Sequence, residues 1–187
     1  SVTGAQASEW VPIRPKTDAA FLYAMVHVLL HEHRMEELDV PFLKHRTGAP
    51  YLIGPNGWYL RDPASRKPLV WDLKTARAVP HDAPDIDPAL VGSFAVAAVE
   101  VGADDELFAH DGAQAQPAHA LLMRHVAEHT PEWASKVCDV PAATIRRVAN
   151  EFLTHARIGE TTEVLGQTLP FRPVAVTMGK LINNGWG

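Results

Sequence analysis

The spacing of apolar and polar positions predicts helices near both ends of the chain. Residues 19–30 are apolar almost all round, with polar tips only at Tyr23 and His27, a pattern typical of a helix covered on more than one side. Residues 141–153 place their large apolar side chains at helical spacing, which predicts an amphipathic helix. That stripe consists of Ile145, Val148, Ala149, Phe152 and Leu153.

Between these helices the pattern is β-prone and rich in turns. Residues 51–53 and 58–60 flank the turn sequence Pro55-Asn-Gly57, which predicts a β-hairpin. Residues 69–71 and 94–101 indicate further strands. Together they predict a small antiparallel element.

The order of elements predicts an α/β fold. Residues 9–13 indicate a short strand before the first helix, and residues 173–177 are an apolar run typical of a parallel strand covered on both faces. We therefore expect a doubly wound, mostly parallel sheet lobe with a small antiparallel β insertion. In this interpretation residues 1–44 begin the lobe, 45–116 form the loop-rich insertion, and 117–187 supply the remaining helices and the return strand.

The composition of the chain argues against several classes of protein and site. The formal charge of −5 and the pI near 6.0 argue against a nucleic-acid surface, which requires a basic face. The single cysteine, Cys138, excludes an internal disulfide and a multi-cysteine zinc or iron–sulfur site within this sequence. A membrane span needs about 18 consecutive apolar residues, and the sequence contains no such run.

The first candidate site is the turn that opens the first helix. We expect the Thr17 hydroxyl to cap an early N–H group and Asp18 to lie in the positive first turn. Free amides flanked by Arg14 and Lys16 would suit a phosphate, and the Asp18 carboxylate would suit the donor edge of a guanine. Residue chemistry leaves two interpretations open, a guanine nucleotide site and an ordinary helix cap with solvated neighbours.

The second candidate site follows the predicted return strand. Met178 and Gly179, and then Asn183-Asn-Gly185, form a loop that lets backbone approach a ligand at the carboxyl edge of a sheet. An ordinary strand-to-helix turn is the alternative. Neither site contains a catalytic constellation.

Metal and nucleophile candidates have simpler explanations. His27 and His31 lie four apart and could share a metal, although a core histidine bonded to a carbonyl is the favoured interpretation of His27. A run of three aspartates could hold calcium but lacks the glycine and closing glutamate of a calcium loop, so an exposed turn is favoured; the three are Asp82, Asp85 and Asp87. Cys138 lacks a neighbouring base, which favours inert packing. We predict no metal ligand in this sequence.

Three segments, in order, resemble the dimethyl-sulfoxide-reductase-like family of molybdopterin oxidoreductases. They are Ile13-Arg-Pro-Lys-Thr-Asp-Ala-Ala20, the helix pair of residues 130–152 beginning Thr-Pro-Glu-Trp, and Arg172-Pro-Val-Ala-Val-Thr-Met-Gly-Lys180 with Ile182-Asn-Asn-Gly185. The last segment departs from the family pattern, because Lys180-Leu-Ile182 intervenes before the asparagines. The resemblance implies an internal segment of a catalytic subunit that carries molybdenum bis(molybdopterin guanine dinucleotide).

The resemblance also implies roles and partners. Lys16, Thr17 and Asp18 would hold a guanosine end of the cofactor, and Met178 and Gly179 would line the same cofactor. The molybdenum ligand and the cysteines of an iron–sulfur cluster would lie outside this sequence, so the segment alone is expected to be inactive.

Implied partners are the rest of the same catalytic subunit, an iron–sulfur electron-transfer subunit, and a membrane anchor subunit as a further candidate, but no nucleic acid. The setting would be anaerobic respiration, with a soluble segment on the periplasmic or cytoplasmic side of a bacterial membrane complex. The alternative is a self-contained, non-catalytic α/β module that binds a nucleotide or a partner.

Overall fold

The computed structural model describes residues 7–101 and 106–176. Contacts between residues divide the chain into two compact units. One unit is Asp39–Arg124, and the other combines Ser1–Leu38 with His125–Gly187. We call them the sheet unit and the helical unit.

The helices follow the periodicity of the sequence closely. They are α1 (Asp18–His27, continued by a π-helical turn, Val28–Glu32), a 3₁₀ turn (Met35–Glu37), α2 (Val40–Arg46), α3 (Ala118–Val126), α4 (Pro131–Cys138) and α5 (Ala142–His155). The start of α4 is capped by Thr130, whose hydroxyl oxygen accepts from the N–H of Trp133 at 3.2 Å, with Pro131 at the tolerated first position. A threonine followed by proline is a sequence pattern typical of a helix start.

Small side chains form the core of the helical unit. Ala20 and Ala24 of α1 pack with Ala134, Cys138, Val140 and Ile145. Because most of these residues are small, the helices can approach closely, while the larger Ile145 fills the remaining space at zero exposure. Burying that one side chain contributes about 1.5–3 kcal/mol. Ile145 and Ala149 are the buried members of the predicted apolar stripe of α5, and Ile145 is the one that joins this core.

The prediction of a doubly wound, mostly parallel sheet is wrong. Every strand pairing among the described residues is antiparallel, although the mixed α/β composition is confirmed. Residues 9–13 and 173–176 have no regular secondary structure, and Thr177 lies outside the described residues.

An extended run becomes a strand only when a neighbour completes its hydrogen-bond ladder, and prolines remove donors from it. Directly after the first run, the N–H of Arg14 donates to the carbonyl of Cys138, the last residue of α4, at 3.0 Å. The chain is thus joined at this point to a helix terminus rather than to a second strand.

The described residues of the sheet unit contain six strands, which are β1 (Leu52–Ile53), β2 (Leu60–Arg61), β3 (Leu69–Asp72), β4 (Arg77–Pro80), β5 (Phe94–Val101) and β6 (Leu107–Pro117). Four of them form an antiparallel sheet of order β1-β6-β5-β2. Strands β3 and β4 form a separate hairpin. In the helical unit, β7 (Thr161–Val164) and β8 (Gln167–Pro170) form another.

The hairpin predicted around Pro55–Gly57 exists only as a narrow turn. A single bridge joins Ile53 to Tyr59, and the N–H of Gly54 donates to the carbonyl of Trp58 at 2.9 Å. The two flanking strands instead find their main partners in β6 and β5. The longer strands β5 and β6, which come later in the chain, therefore form the centre of this sheet.

Candidate functional site

The turn before α1 has a conformation that differs from the predicted cap. The Thr17 hydroxyl donates to the carbonyl of Arg14 at 2.6 Å, and α1 has no side-chain cap. Thr17 has φ −115° and ψ 17°, outside the extended region in which a capping side chain reaches forward to the helix. The predicted hydroxyl cap is therefore wrong, and the hydroxyl closes the turn behind it.

The first turn of α1 keeps donors available for a ligand. The N–H groups of Ala20 and Phe21 donate to the carbonyl of Thr17 at 3.0 and 3.5 Å. For the N–H groups of Asp18 and Ala19 no acceptor exists among residues 7–101 and 106–176. Unpaired amides of this kind, together with the helix dipole, attract negative charge.

Lys16 and Asp18 present opposite charges beside these amides. Lys16 is exposed, lies in the left-handed region at φ 68°, and forms no ion pair within the described part of the chain. Asp18 is half-buried in the first turn of the helix. The turn thus offers a cation, two N–H donors and a carboxylate within a few consecutive residues.

Arg14 has a different role from the one that its position in the sequence suggests. Its Nε and Nη2 atoms donate to Asp139 Oδ2 and Oδ1 at 2.9 and 2.8 Å. Because both donors face a carboxylate, Arg14 anchors the turn and is not available to a phosphate in this arrangement. Sequence reasoning missed Asp139, since nothing in the local pattern links two residues that lie 125 positions apart.

The remaining predicted cofactor residues, Met178 and Gly179, lie outside the described residues. The structure therefore brings together Lys16, Thr17 and Asp18, which are already adjacent in sequence, and adds the anchoring pair of Arg14 and Asp139. The site on the helical unit is an exposed turn and helix terminus.

The favoured interpretation of His27 is confirmed. Its Nδ1 atom lies 2.8 Å from the carbonyl oxygen of Val126, its ring stacks on His31 with centroids 4.9 Å apart, and the residue is buried. Within residues 7–101 and 106–176, no group of three or more histidine, cysteine or acidic side chains could hold a metal. Cys138 is a buried free thiol, consistent with its interpretation as inert packing.

The aspartates weighed as a calcium site are bound to lysines instead. Each carboxylate oxygen lies 2.5 Å from an ammonium group, in the pairs Lys67–Asp82, Lys74–Asp85 and Lys44–Asp87. These pairs fasten the Asp-rich loop to the sheet unit. The interpretation as a turn agrees with this arrangement.

The known proteins to which the chain is similar are oxidoreductases. The chain is 31% identical over 169 residues to one chain of the sulfite dehydrogenase of Allochromatium vinosum and 26% identical over 187 residues to the alpha chain of the perchlorate reductase of Dechloromonas aromatica. It is 28% identical over 186 residues to a dimethyl sulfoxide reductase of Haemophilus influenzae. No protein-family profile matches the sequence.

These matches cover most of the chain but little of each relative. They include 82%, 80% and 99% of this chain and only 16%, 19% and 14% of the respective relatives. The chain is therefore similar to a segment of oxidoreductase catalytic subunits. Its resemblance to the molybdopterin oxidoreductases is confirmed. No helix in the described part of the chain has the length and apolarity needed to cross a bilayer.

Proposed function

We propose that this chain is a cofactor-binding segment of the catalytic subunit of a molybdenum-dependent oxidoreductase, and that it holds a molybdopterin guanine dinucleotide. The observation that carries the proposal is the start of α1. There an exposed Lys16, the unpaired N–H groups of Asp18 and Ala19, and the Asp18 carboxylate lie together. The similarity to three oxidoreductases supplies the chemical context.

The donors and acceptors of this turn fit the nucleotide end of such a cofactor. A pyrophosphate needs cations and N–H donors, which Lys16 and the helix start supply. The guanine edge has two parallel donors, N1–H and N2–H₂, which a carboxylate such as that of Asp18 can accept together. The Thr17 hydroxyl donates to Arg14, so its contribution would be limited to its backbone and its oxygen lone pairs.

The residues of this chain would bind and orient the cofactor, and they would not carry out the redox step. When bound, the molybdenum centre supplies oxygen-atom or hydride-equivalent transfer. The ion pair of Arg14 with Asp139 would keep the turn in place while the nucleotide binds. Met178 and Gly179 remain proposed further contacts.

The proposal extends to partners that the chain itself does not contain. A cofactor of this size must be enclosed by more protein, which would be the rest of the same catalytic subunit. Electrons would leave through an iron–sulfur cluster and an iron–sulfur subunit, and a membrane anchor subunit is a further candidate partner.

The test is Asp18→Asn in the complete protein that contains this chain. Asparagine keeps the size of the side chain but cannot accept two parallel donors. We expect at least a tenfold loss of guanine nucleotide released on acid denaturation, since a hydrogen bond to a charged group is worth about 1.5–3 kcal/mol. Molybdenum content should fall in parallel.

Asp85→Asn is the matched control. Asp85 is an exposed carboxylate of the sheet unit at φ 53°, a conformation that asparagine tolerates. It should leave both contents unchanged. Full nucleotide and molybdenum content in Asp18→Asn would overturn the proposed role of Asp18. Bound guanine nucleotide without molybdenum in the unmodified protein would instead favour a separate nucleotide-binding module.

A further inference from the structure

The hairpin of β7 and β8 has an unusual residue at its tip. Its loop is only two residues long, because Val164 pairs with Gln167, and both loop residues, Leu165 and Gly166, have positive φ, at 50° and 77°. A two-residue loop with this conformation matches the type I′ turn, in which asparagine, aspartate or glycine normally comes first. Leucine rarely adopts positive φ, so the turn itself does not explain Leu165.

The Leu165 side chain is also completely exposed, at 100%. Single exposed apolar residues are common on protein surfaces, but this one combines exposure with an unfavourable backbone conformation. Leucine at this position thus gains no burial from the described residues and makes the turn harder to form. Its presence is explained if the side chain is buried against protein outside this chain.

One face of the same hairpin is apolar. Because side chains alternate between the two faces of a strand, the pairing register places Val164 and Leu169 on one face. They are 46% and 41% exposed. The opposite face carries Glu163, whose carboxylate accepts from the Thr168 hydroxyl at 2.5 Å. The hairpin is therefore amphipathic, and its apolar face is directed to the same surroundings as its tip.

An amphipathic hairpin of two strands requires support on its apolar face. Isolated two-stranded hairpins are marginally stable in water, and packing against a further element makes them stable. Every residue of β8 is exposed, and so is every residue of β7 except Thr162. The described residues of this chain therefore leave the apolar face available for packing.

The composition of the hairpin indicates the kind of partner. Glu163 is the only charged residue of residues 161–170, and it lies on the polar face. Uncharged, aliphatic surfaces are typical of permanent interfaces, which resemble the core of a protein. The similar catalytic subunits are much longer than this chain, which matches 16%, 19% and 14% of their lengths. Both observations favour the remaining part of one such subunit as the partner.

We propose that the hairpin docks into an apolar pocket in the remaining part of the same catalytic subunit. Leu165 enters the pocket from the tip, and the face of Val164 and Leu169 packs beside it. This docking rests on the proposed function in one respect only, that the chain is a segment of a catalytic subunit. It does not depend on the role of Asp18.

The experiment is hydrogen–deuterium exchange, measured by mass spectrometry, on residues 161–170 of the complete catalytic subunit in its monomeric form. Leu165→Asn should speed exchange of these amides by about tenfold or more, because burial of a leucine side chain is lost. Asn-Gly is also the preferred sequence of a type I′ turn. A hairpin that is free in solvent would therefore exchange at the same rate or more slowly in this variant.

Ala76→Asn is the matched control for the turn. Ala76 is exposed and has φ 51° in the loop between β3 and β4, so asparagine enters the same backbone conformation without removing a large apolar side chain. This variant should not speed exchange in β3, β4 or residues 161–170.

Leu169→Thr tests the apolar face without altering the turn. Threonine suits a strand but removes most of the apolar surface, so exchange of residues 161–170 should again become faster. Glu163→Gln is its control on the polar face, since glutamine keeps an oxygen for the Thr168 hydroxyl, and it should leave exchange unchanged.

Unchanged or slower exchange in Leu165→Asn would overturn the proposal, as would protection that appears only when another subunit or a second copy binds. Exposed, rapidly exchanging amides in the unmodified subunit would overturn it even where Asp18→Asn loses its nucleotide. A protected hairpin together with full nucleotide content in Asp18→Asn would instead overturn only the proposed role of Asp18.

Discussion

Arg14 and Asp139 form a bidentate ion pair that joins the turn before α1 to the end of α4. Two nitrogens of the guanidinium meet two carboxylate oxygens at 2.9 and 2.8 Å, and beside them the N–H of Arg14 donates to the carbonyl of Cys138 at 3.0 Å. The side chains are 51% and 62% exposed, so solvent screens the attraction. We conclude that the pair positions the turn more than it stabilises the unit.

Arg14→Gln and Asp139→Asn should each lower the free energy of unfolding by less than about 1 kcal/mol, which is the range of exposed ion pairs. Asparagine is chosen because Asp139 has φ 62°, which asparagine tolerates better than alanine. Urea unfolding of both single variants and the double variant would measure their coupling. A coupling above about 3 kcal/mol, well beyond that range, would show that solvent does not screen this pair.

Gly54 lies directly against the carboxyl group of Glu100. A Cβ atom at Gly54 would meet Glu100 Cδ at 2.4 Å and Leu60 Cδ2 at 2.8 Å. Glu100 cannot move aside freely, because it is fully buried and accepts from the N–H groups of Asn56 and Trp58 at 3.2 and 3.1 Å. His110 Nε2 lies 2.6 Å from the same carboxylate.

Gly54→Ala should therefore destabilise the sheet unit by about 1–3 kcal/mol, the usual cost of overpacking. The matched control is Gly48→Ala, where the nearest atom would be a Tyr51 ring carbon at an ordinary 3.6 Å. Both variants make the same glycine-to-alanine change, so the difference between their unfolding temperatures measures the steric crowding at Gly54. Equal unfolding temperatures would contradict this account of the Glu100 site.

His33 makes the helical unit more stable in mildly acidic solution. Its Nδ1 lies 2.7 Å from Glu37 Oε2, and its Nε2 lies 2.7 Å from Asn150 Oδ1. Both nitrogens can donate only when the ring is protonated, so hydrogen bonds to Asn150 and Glu37 raise the pKa of His33 above 6.5. Its stabilising contribution is complete below the unfolded pKa and disappears as pH rises through the higher folded pKa.

The expected result is a loss of stability as the pH rises above 6.5 through the neutral range, and His33→Gln should flatten this dependence. Urea unfolding at three pH values in this range would test it. His155→Gln, at the exposed end of α5, is the control and should keep the slope of the unmodified chain. An unchanged slope in His33→Gln would assign the dependence to another group.

Asp72 should make the sheet unit sensitive to strong acid. The Thr75 hydroxyl donates to its carboxylate at 2.6 Å and the N–H of Asp87 at 2.8 Å, and these bonds lower the pKa of Asp72 from 3.8 to about 2. The resulting stability is present above the unfolded pKa and is lost as pH falls through the folded pKa. Acid unfolding should thus contain a step between about pH 4 and pH 2.

Asp72→Asn should remove that acid step and lower stability at neutral pH, because an amide offers one oxygen where the carboxylate offers two. Circular dichroism followed during acid titration would check both effects. Asp111→Asn, an exposed position in β6, should behave as the unmodified chain does. Persistence of the acid step in Asp72→Asn would contradict the assignment.

Local patterns determined much of this protein without its structure. Helical periodicity was sufficient for α1 and α5, since a run of apolar residues and an apolar stripe are properties of neighbouring residues. The carbonyl-bonded core histidine at His27 was predictable because its surroundings are apolar. The family resemblance also depended only on short segments in order.

Tertiary structure decided what depends on distant partners. An extended segment such as residues 9–13 could become a strand or remain irregular, depending on whether a neighbouring strand pairs with it, and here the adjacent Arg14 bonds to the helix-terminal Cys138 instead. In the same way, β1 and β2 pair with β6 and β5 rather than with each other. The ion pair of Arg14 also arises from a contact between residues far apart in the chain. Hydrogen-bond ladders, ion pairs and clefts form between residues that are distant in the sequence, and the local sequence pattern does not specify which distant residues come into contact.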